Sequence, residues 1–162
     1  LATWRGLRMM SMGSAAALLV SALGIVPLVL SAFQALRWER DSLAQGQAVL
    51  LAQDLSHRLH LNAGSASHYQ LTWGQQPTAR SCRDAPCSRG DWAQADLTEW
   101  RSRVGQVLPD GDAWLQGVAG SPLSLWLVLA WSSDAGRDAG LSAHAPVPCP
   151  EGKRCQLWVL TP

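Results

Sequence analysis

The chain has 162 residues, 13 of them basic and 12 acidic, for a net charge of +1. That length holds one anchor and one domain of about 100 residues, not two domains, and so even a balance offers no field to attract nucleic acid. Nine tryptophans stand against one tyrosine and one phenylalanine, and all but Trp4 lie beyond residue 37.

The chain opens on a short leader, Leu1 to Gly6, in which Arg5 immediately precedes the glycine. From Met9 to Leu36 there is no Asp, Glu, Lys, Arg or His. A helix rises about 1.5 Å per residue, so about 20 residues cross the hydrocarbon and this run exceeds that. It is expected to span a membrane as a helix, because lipid offers the backbone no partners. A cleaved secretory signal would have a shorter apolar region, of about 7–15 residues, and a better cleavage site than the one around Phe33. A buried helix of a soluble domain would need a larger core than the remainder supplies. Arg5 and Arg8 precede the run with no acid before Glu39, so the residues beyond about 37 are expected to face away from the cytoplasm. Within the run, Pro27 removes one helix hydrogen bond and Gly24 adds local freedom, which marks a place for a kink.

The helix is expected to continue past the membrane. Leu36, Leu43 and Leu50 repeat at seven, and Leu51, Leu55 and Leu59 at four, with Glu39, Arg40, Asp41, Gln45, Gln53, Asp54 and His57 on the other faces. That pattern is amphipathic, and Asn62-Ala63-Gly64 stops it. The whole helix would hold about 53 residues and reach about 80 Å.

Beyond Gly64 the periodicity changes. Ser67 to Trp73 reads as a short strand and Gln75 to Gly90 as a loop. Asp91 is placed as the N-cap of a short helix, with Trp92, Leu97, Trp100, Val104 and Leu108 on its apolar face and Pro109-Asp110-Gly111 ending it. Ala113 to Val118 and Leu123 to Trp131 are strands separated by a turn at 119–122, the second being central. Ser132 to Pro148 is a loop, and Gln156 to Leu160 a last strand. The order is α+β, with a small antiparallel sheet burying one face against the amphipathic half of the long helix.

Several of these segments together resemble the type IV pilins, and within them the minor pilins called type IV pilus modification proteins (minor pilin V class). Arg5-Gly6 ahead of an apolar helix is similar to a prepilin peptidase site. Gln47 to Leu59 followed by Asn62 is similar to that family's helix exit, and Asp96 to Trp100 with Leu108-Pro109 to its short helix. Leu125 to Trp131 and the strand from Cys155 match as well. The resemblance implies a pilin-like fold: a leader at 1–6, a transmembrane half-helix at 7–37, an amphipathic half at 38–64 and a globular domain at 65–162. It implies cleavage between Gly6 and Leu7, N-methylation, residence in the bacterial inner membrane and extraction into a pilus or its priming complex. The partners would be the prepilin peptidase and other minor and major pilins. One departure stands out. Pilins carry a Glu at the fifth mature position, where this chain has Ser11, or Gly13 when aligned back from Gln47.

Cys82, Cys87, Cys149 and Cys155 give an even count in an outward-facing domain, which favours two disulfides. The close spacings favour Cys82–Cys87 and Cys149–Cys155 among the three possible pairings. A four-cysteine zinc site would want tight C-x2–4-C spacing at both knuckles, which the pairs do not both meet, and no C-x-x-C redox motif occurs. His57 and His60 lie three apart on a helix, more in keeping with a solvated face than a metal site, and His68 and His144 are isolated. There is no serine elbow, phosphate-binding glycine loop or paired acid cluster. The reading is a non-enzymatic subunit without a cofactor. A pseudopilin of a type II secretion system, or a single-pass anchored periplasmic binding or sensory domain, are the alternatives.

Overall fold

The computed structural model describes residues 3–78, 86–133 and 145–162, with side chains described from Ile25 onward except that of Pro122. Helix α1 runs Thr3–Leu61 and is followed by a 3₁₀ segment, Ala63–His68. Helix α2 spans Arg89–Val107, and strands β1 (Asp112–Val118), β2 (Ser121–Ser132) and β3 (Lys153–Leu160) complete the order. The architecture is α+β, as the pattern of elements predicts. Contacts divide the chain into Leu1–Arg40 and Asp41–Pro162, so the last third of α1, from Asp41 on, belongs with the globular domain.

In Asp41–Pro162 the sheet is antiparallel in the order β1-β2-β3, with β2 central. Ala119-Gly120 joins β1 to β2, and Gly120 supplies the left-handed residue such a tight connection needs, at φ 80. Strand alternation sends Ala113, Leu115, Leu125, Leu127, Leu129, Trp131 and Leu160 to one face, where they meet Ala44, Ala48, Leu51, Ala52, Leu55 and Leu59 of α1 in the main core. Alanines at 44, 48 and 52 keep that side of α1 low. The other face carries a smaller cluster of Trp114, Val128, Ala130 and Cys155, with Trp73, Trp126, Val147, Cys149 and Leu157 against it.

Three local expectations are corrected. Ser67 to Trp73 is no strand: its start belongs to the 3₁₀ segment, and Leu71 alone bridges to Leu115. The N-cap of α2 is Ser88, not Asp91. The Ser88 hydroxyl accepts from the Asp91 N–H at 3.2 Å while the Asp91 carboxylate accepts from the Ser88 N–H at 2.8 Å, a reciprocal capping box. Trp92, expected on the apolar face of α2, is exposed, and Ala93 takes the buried position beside Leu97, Trp100 and Val104. At the end of α2 the chain folds back so tightly that a Cβ on Gly111 would lie 2.5 Å from the Val104 carbonyl oxygen.

Candidate functional site

Two surfaces of α1 carry the features that bear on function. In the first unit, Ile25, Val26, Leu28, Val29, Leu30, Phe33, Leu36 and Trp38 are all exposed. A bare apolar surface of that extent is unfavourable in water. Among the described residues no helix is long and apolar enough to cross a membrane. The first part of the expected span, residues 9–24, lies outside the described side chains, as do Gly6, Leu7, Ser11, Gly13 and Gly24. Pro27 lies inside α1, which carries on past it to Leu61. One turn on, the Ser31 hydroxyl donates to the Leu28 carbonyl at 2.9 Å.

In the second unit the stripe differs from the one the leucine spacing suggests. Leu51, Leu55 and Leu59 are buried, but Leu43 and Leu50 of the seven-residue repeat are 60% and 65% exposed. Successive residues turn by about 100°, so Leu50 and Leu51 face different surroundings. Leu43 and Leu50 therefore stand exposed on a side of α1 that does not face the core. Next to it, Gln47, Leu50, Leu51 and Asp54 of α1 and Arg103 and Val107 of α2 line an open groove.

The seam between α1 and α2 is tied by charge. Arg58 sends Nε to Asp54 at 3.4 Å, Nη1 to Asp96 at 3.2 Å and Nη2 to Glu99 at 3.1 Å. Arg103 closes the set onto Asp54 at 3.3 Å and Glu99 at 2.8 Å. Partial burial works against the Arg58 charge, but the Glu99 hydrogen bond and the surrounding carboxylates outweigh it, so its pKa rises. The Arg58 hydrogen bond and charge hold the Glu99 carboxyl below its usual range. Tyr69 is fully buried and donates to Asp96 at 2.7 Å; burial first, then that bond, raises its pKa well above the ordinary phenol. Beneath the seam the Trp100 indole N–H donates to the Leu51 carbonyl at 2.9 Å, locking α2 to the face of α1 that points into the core.

A second ion pair is internal. Arg101 and Asp112, both nearly buried, meet at 2.8 Å. Asp112 also accepts the N–H groups of Gly74 at 2.9 Å and Ala113 at 2.8 Å, so it joins α2, β1 and the 70–75 segment. Arg154 of β3 pairs with Asp41 of α1, and Lys153 pairs with Asp110 at 3.0 Å; Lys153 and a Ser132 hydroxyl draw the Asp110 carboxyl below its usual range.

The expected Cys149–Cys155 disulfide is present, fastening the 145–152 segment to β3. Cys87 is disulfide-bonded, and Cys82, its expected partner, lies outside the described residues. His57 and His60 are exposed on α1 and His68 ends the 3₁₀ segment; His144 is outside the described residues. Among the described residues no group of three or more His, Cys, Asp and Glu side chains is placed to hold a metal ion.

Sequence reasoning missed the hub at Arg58 and the buried Arg101. The Asp54/Arg58 spacing of four was the available sign of the first. Nothing local marked Arg101, whose partner Asp112 lies beyond the helix. The chain matches no protein-family model, no curated protein and no solved structure.

Proposed function

We propose that the chain is a minor pilin of the type IV pilus kind, held in the bacterial inner membrane by residues 7–37 before assembly and packed among other minor and major pilins afterwards. One observation carries the reading. The exposed apolar side chains at 25–38 lie on the same helix whose residues 44–59 build the core of a helix-on-sheet domain. Such a helix is stable in lipid and equally stable in a bundle of like helices, which is what transfer from membrane to fibre requires. The leader at 1–6, cut by a prepilin peptidase between Gly6 and Leu7, is the sequence counterpart of that transfer.

The chain's departure at the fifth mature position refines the proposal. A carboxylate in an apolar bundle is costly unless it meets a positive partner, and pilins offset it with a neighbour's terminal amine. With Ser11 or Gly13 there, this subunit offers no such pairing, and it suits an initiation or tip complex of low copy number better than a repeating shaft.

Co-expression with a prepilin peptidase, followed by N-terminal mass measurement, tests the reading. Cleavage after Gly6 leaves an N-methylated Leu7, and Gly6→Glu retains the leader. A leader kept intact in the presence of the peptidase would leave a plain single-pass anchor. Immunogold labelling then separates the remaining cases: label near pilus tips supports the proposal, dense label along the shaft removes the tip assignment, and label absent from pili favours a secretion pseudopilin.

A further inference from the structure

The ladder shows which backbone groups of β3 point away from β2. Leu115 exchanges both N–H···O bonds with Leu71, at 2.9 and 2.8 Å, so its polar groups point away from β2. Groups alternate residue by residue in an antiparallel ladder. Through the register Leu115↔Leu127 and Leu127↔Trp158, Leu127 turns its groups to β3 and Trp158 returns them to β2. The groups of Cys155, Leu157 and Val159 therefore point off the edge of the sheet. Cys155 is buried at 4% exposure, tied to Cys149. Leu157 is half-buried and Val159 is 53% exposed. Among the described residues no other strand pairs with β3 on that side.

Natural sheet edges are commonly protected by charge, especially lysine. Here Gln156 to Pro162 contains no charged residue, and the cations at the start of β3 are drawn onto their own fold, Lys153 to Asp110 and Arg154 to Asp41. The open stretch is thus short, uncharged and apolar on its outer face.

We infer that this edge pairs with the same edge of a second copy of the chain, antiparallel about a two-fold axis at Val159. The stretch is self-complementary in that register. The two Val159 residues exchange N–H···O bonds, Leu157 of each copy lies opposite Thr161 of the other, and Trp158 lies opposite Leu160. The Arg154 residues of the two copies stand ten positions apart, about 34 Å along the strands, well beyond the screening length of about 10 Å. No like charges meet. The outer-face cluster around Trp126 and Leu157 continues across the axis, as an isologous contact requires. The inference is independent of the pilin reading and applies equally to an anchored domain.

The test is sedimentation of the full chain in detergent beside Val159→Pro and Val159→Lys, with a photo-crosslinker at Thr161. Proline at 159 removes an N–H that points away from β2 and that no described strand pairs, a position where an edge strand tolerates it. Each dimer loses two hydrogen bonds, which raises the dissociation constant about thirtyfold. Val159→Lys leaves every backbone group intact and places a charge at the axis, so it answers the question if the proline variant fails to fold. Wild-type dimers, their loss in a folded variant and crosslinking of Thr161 to Leu157 of a second copy support the inference. A monomeric wild type, dimers that survive Val159→Lys, or crosslinks to another protein alone overturn it.

Discussion

Leu50 and Leu51 are adjacent in sequence, and their replacement by alanine should have unequal consequences. Leu51 is 4% exposed in the main core. A buried leucine cut to alanine costs about 2–5 kcal/mol. Because Leu51 also borders the open groove between α1 and α2, part of the vacated space opens to water instead of forming a closed cavity. The expected loss is therefore at the lower end, about 2–3 kcal/mol. Leu50 is 65% exposed, so only about a third of its burial energy is at stake, about 0.5–1 kcal/mol, and alanine's helix propensity returns a little of that. The gap of about 2 kcal/mol corresponds to about 4–8 °C in melting temperature for a chain of this size. Thermal unfolding followed by near-ultraviolet circular dichroism of the tryptophans measures it. Equal losses, or a larger loss for Leu50→Ala, would refute the helix orientation described above. Under the proposed function the order reverses for assembly, where Leu50→Ala should lower incorporation while leaving the subunit folded.

Asp112→Ala strands the buried Arg101 guanidinium and should cost about 3–5 kcal/mol, seen as a lower urea midpoint. Tyr69→Phe removes the 2.7 Å bond to Asp96 and should cost about 1 kcal/mol. Because the folded Tyr69 pKa is raised, its stabilisation is fully present below about pH 10 and is lost as pH rises beyond that, where the unfolded phenol ionises; the phenylalanine variant lacks this alkaline decline. Glu99 runs the other way: its lowered pKa gives stability that is present above the ordinary carboxylate range and lost as pH falls, and Glu99→Gln should slightly flatten acid unfolding, modestly because the side chain is mostly exposed. Replacing Cys149 and Cys155 together by alanine opens a loop of sequence separation 6 and should cost about 2 kcal/mol in reversible denaturation.

Much of the fold was legible because it follows from local periodicity. The alternation in Leu123 to Trp131 marked the central strand, and Gln156 to Leu160 marked the strand beside it. The close cysteine spacing anticipated Cys149–Cys155. The start of α2 is legible too, since Ser88 stands three residues before Asp91, but in a capping box the hydroxyl residue is the cap and the acid sits at N3. The 67–73 stretch misled because a few residues of mixed polarity resemble a strand, and only pairing partners make one; Leu71 found one partner and its neighbours none.

The sequence by itself determined that residues 9–36 carry no charge, that a long helix is followed by a short helix and strands, and that all charge lies outside that run. These properties reside in composition and spacing, which the chain carries before it folds. Only the tertiary structure decided which leucines of α1 face the core. Leucines at a spacing of seven and at a spacing of four are both compatible with a helical stripe, and the sheet chose between them. Alanines 44, 48 and 52 let β1 and β2 approach one side of α1, so Leu51, Leu55 and Leu59 were buried there and Leu43 and Leu50 were left outside. The same holds for Arg58 with Asp96 and Glu99, and for Arg101 with Asp112. The value of a charge depends on the distance to its partner through a medium of low polarity, and that distance exists only once the helices and the sheet have packed.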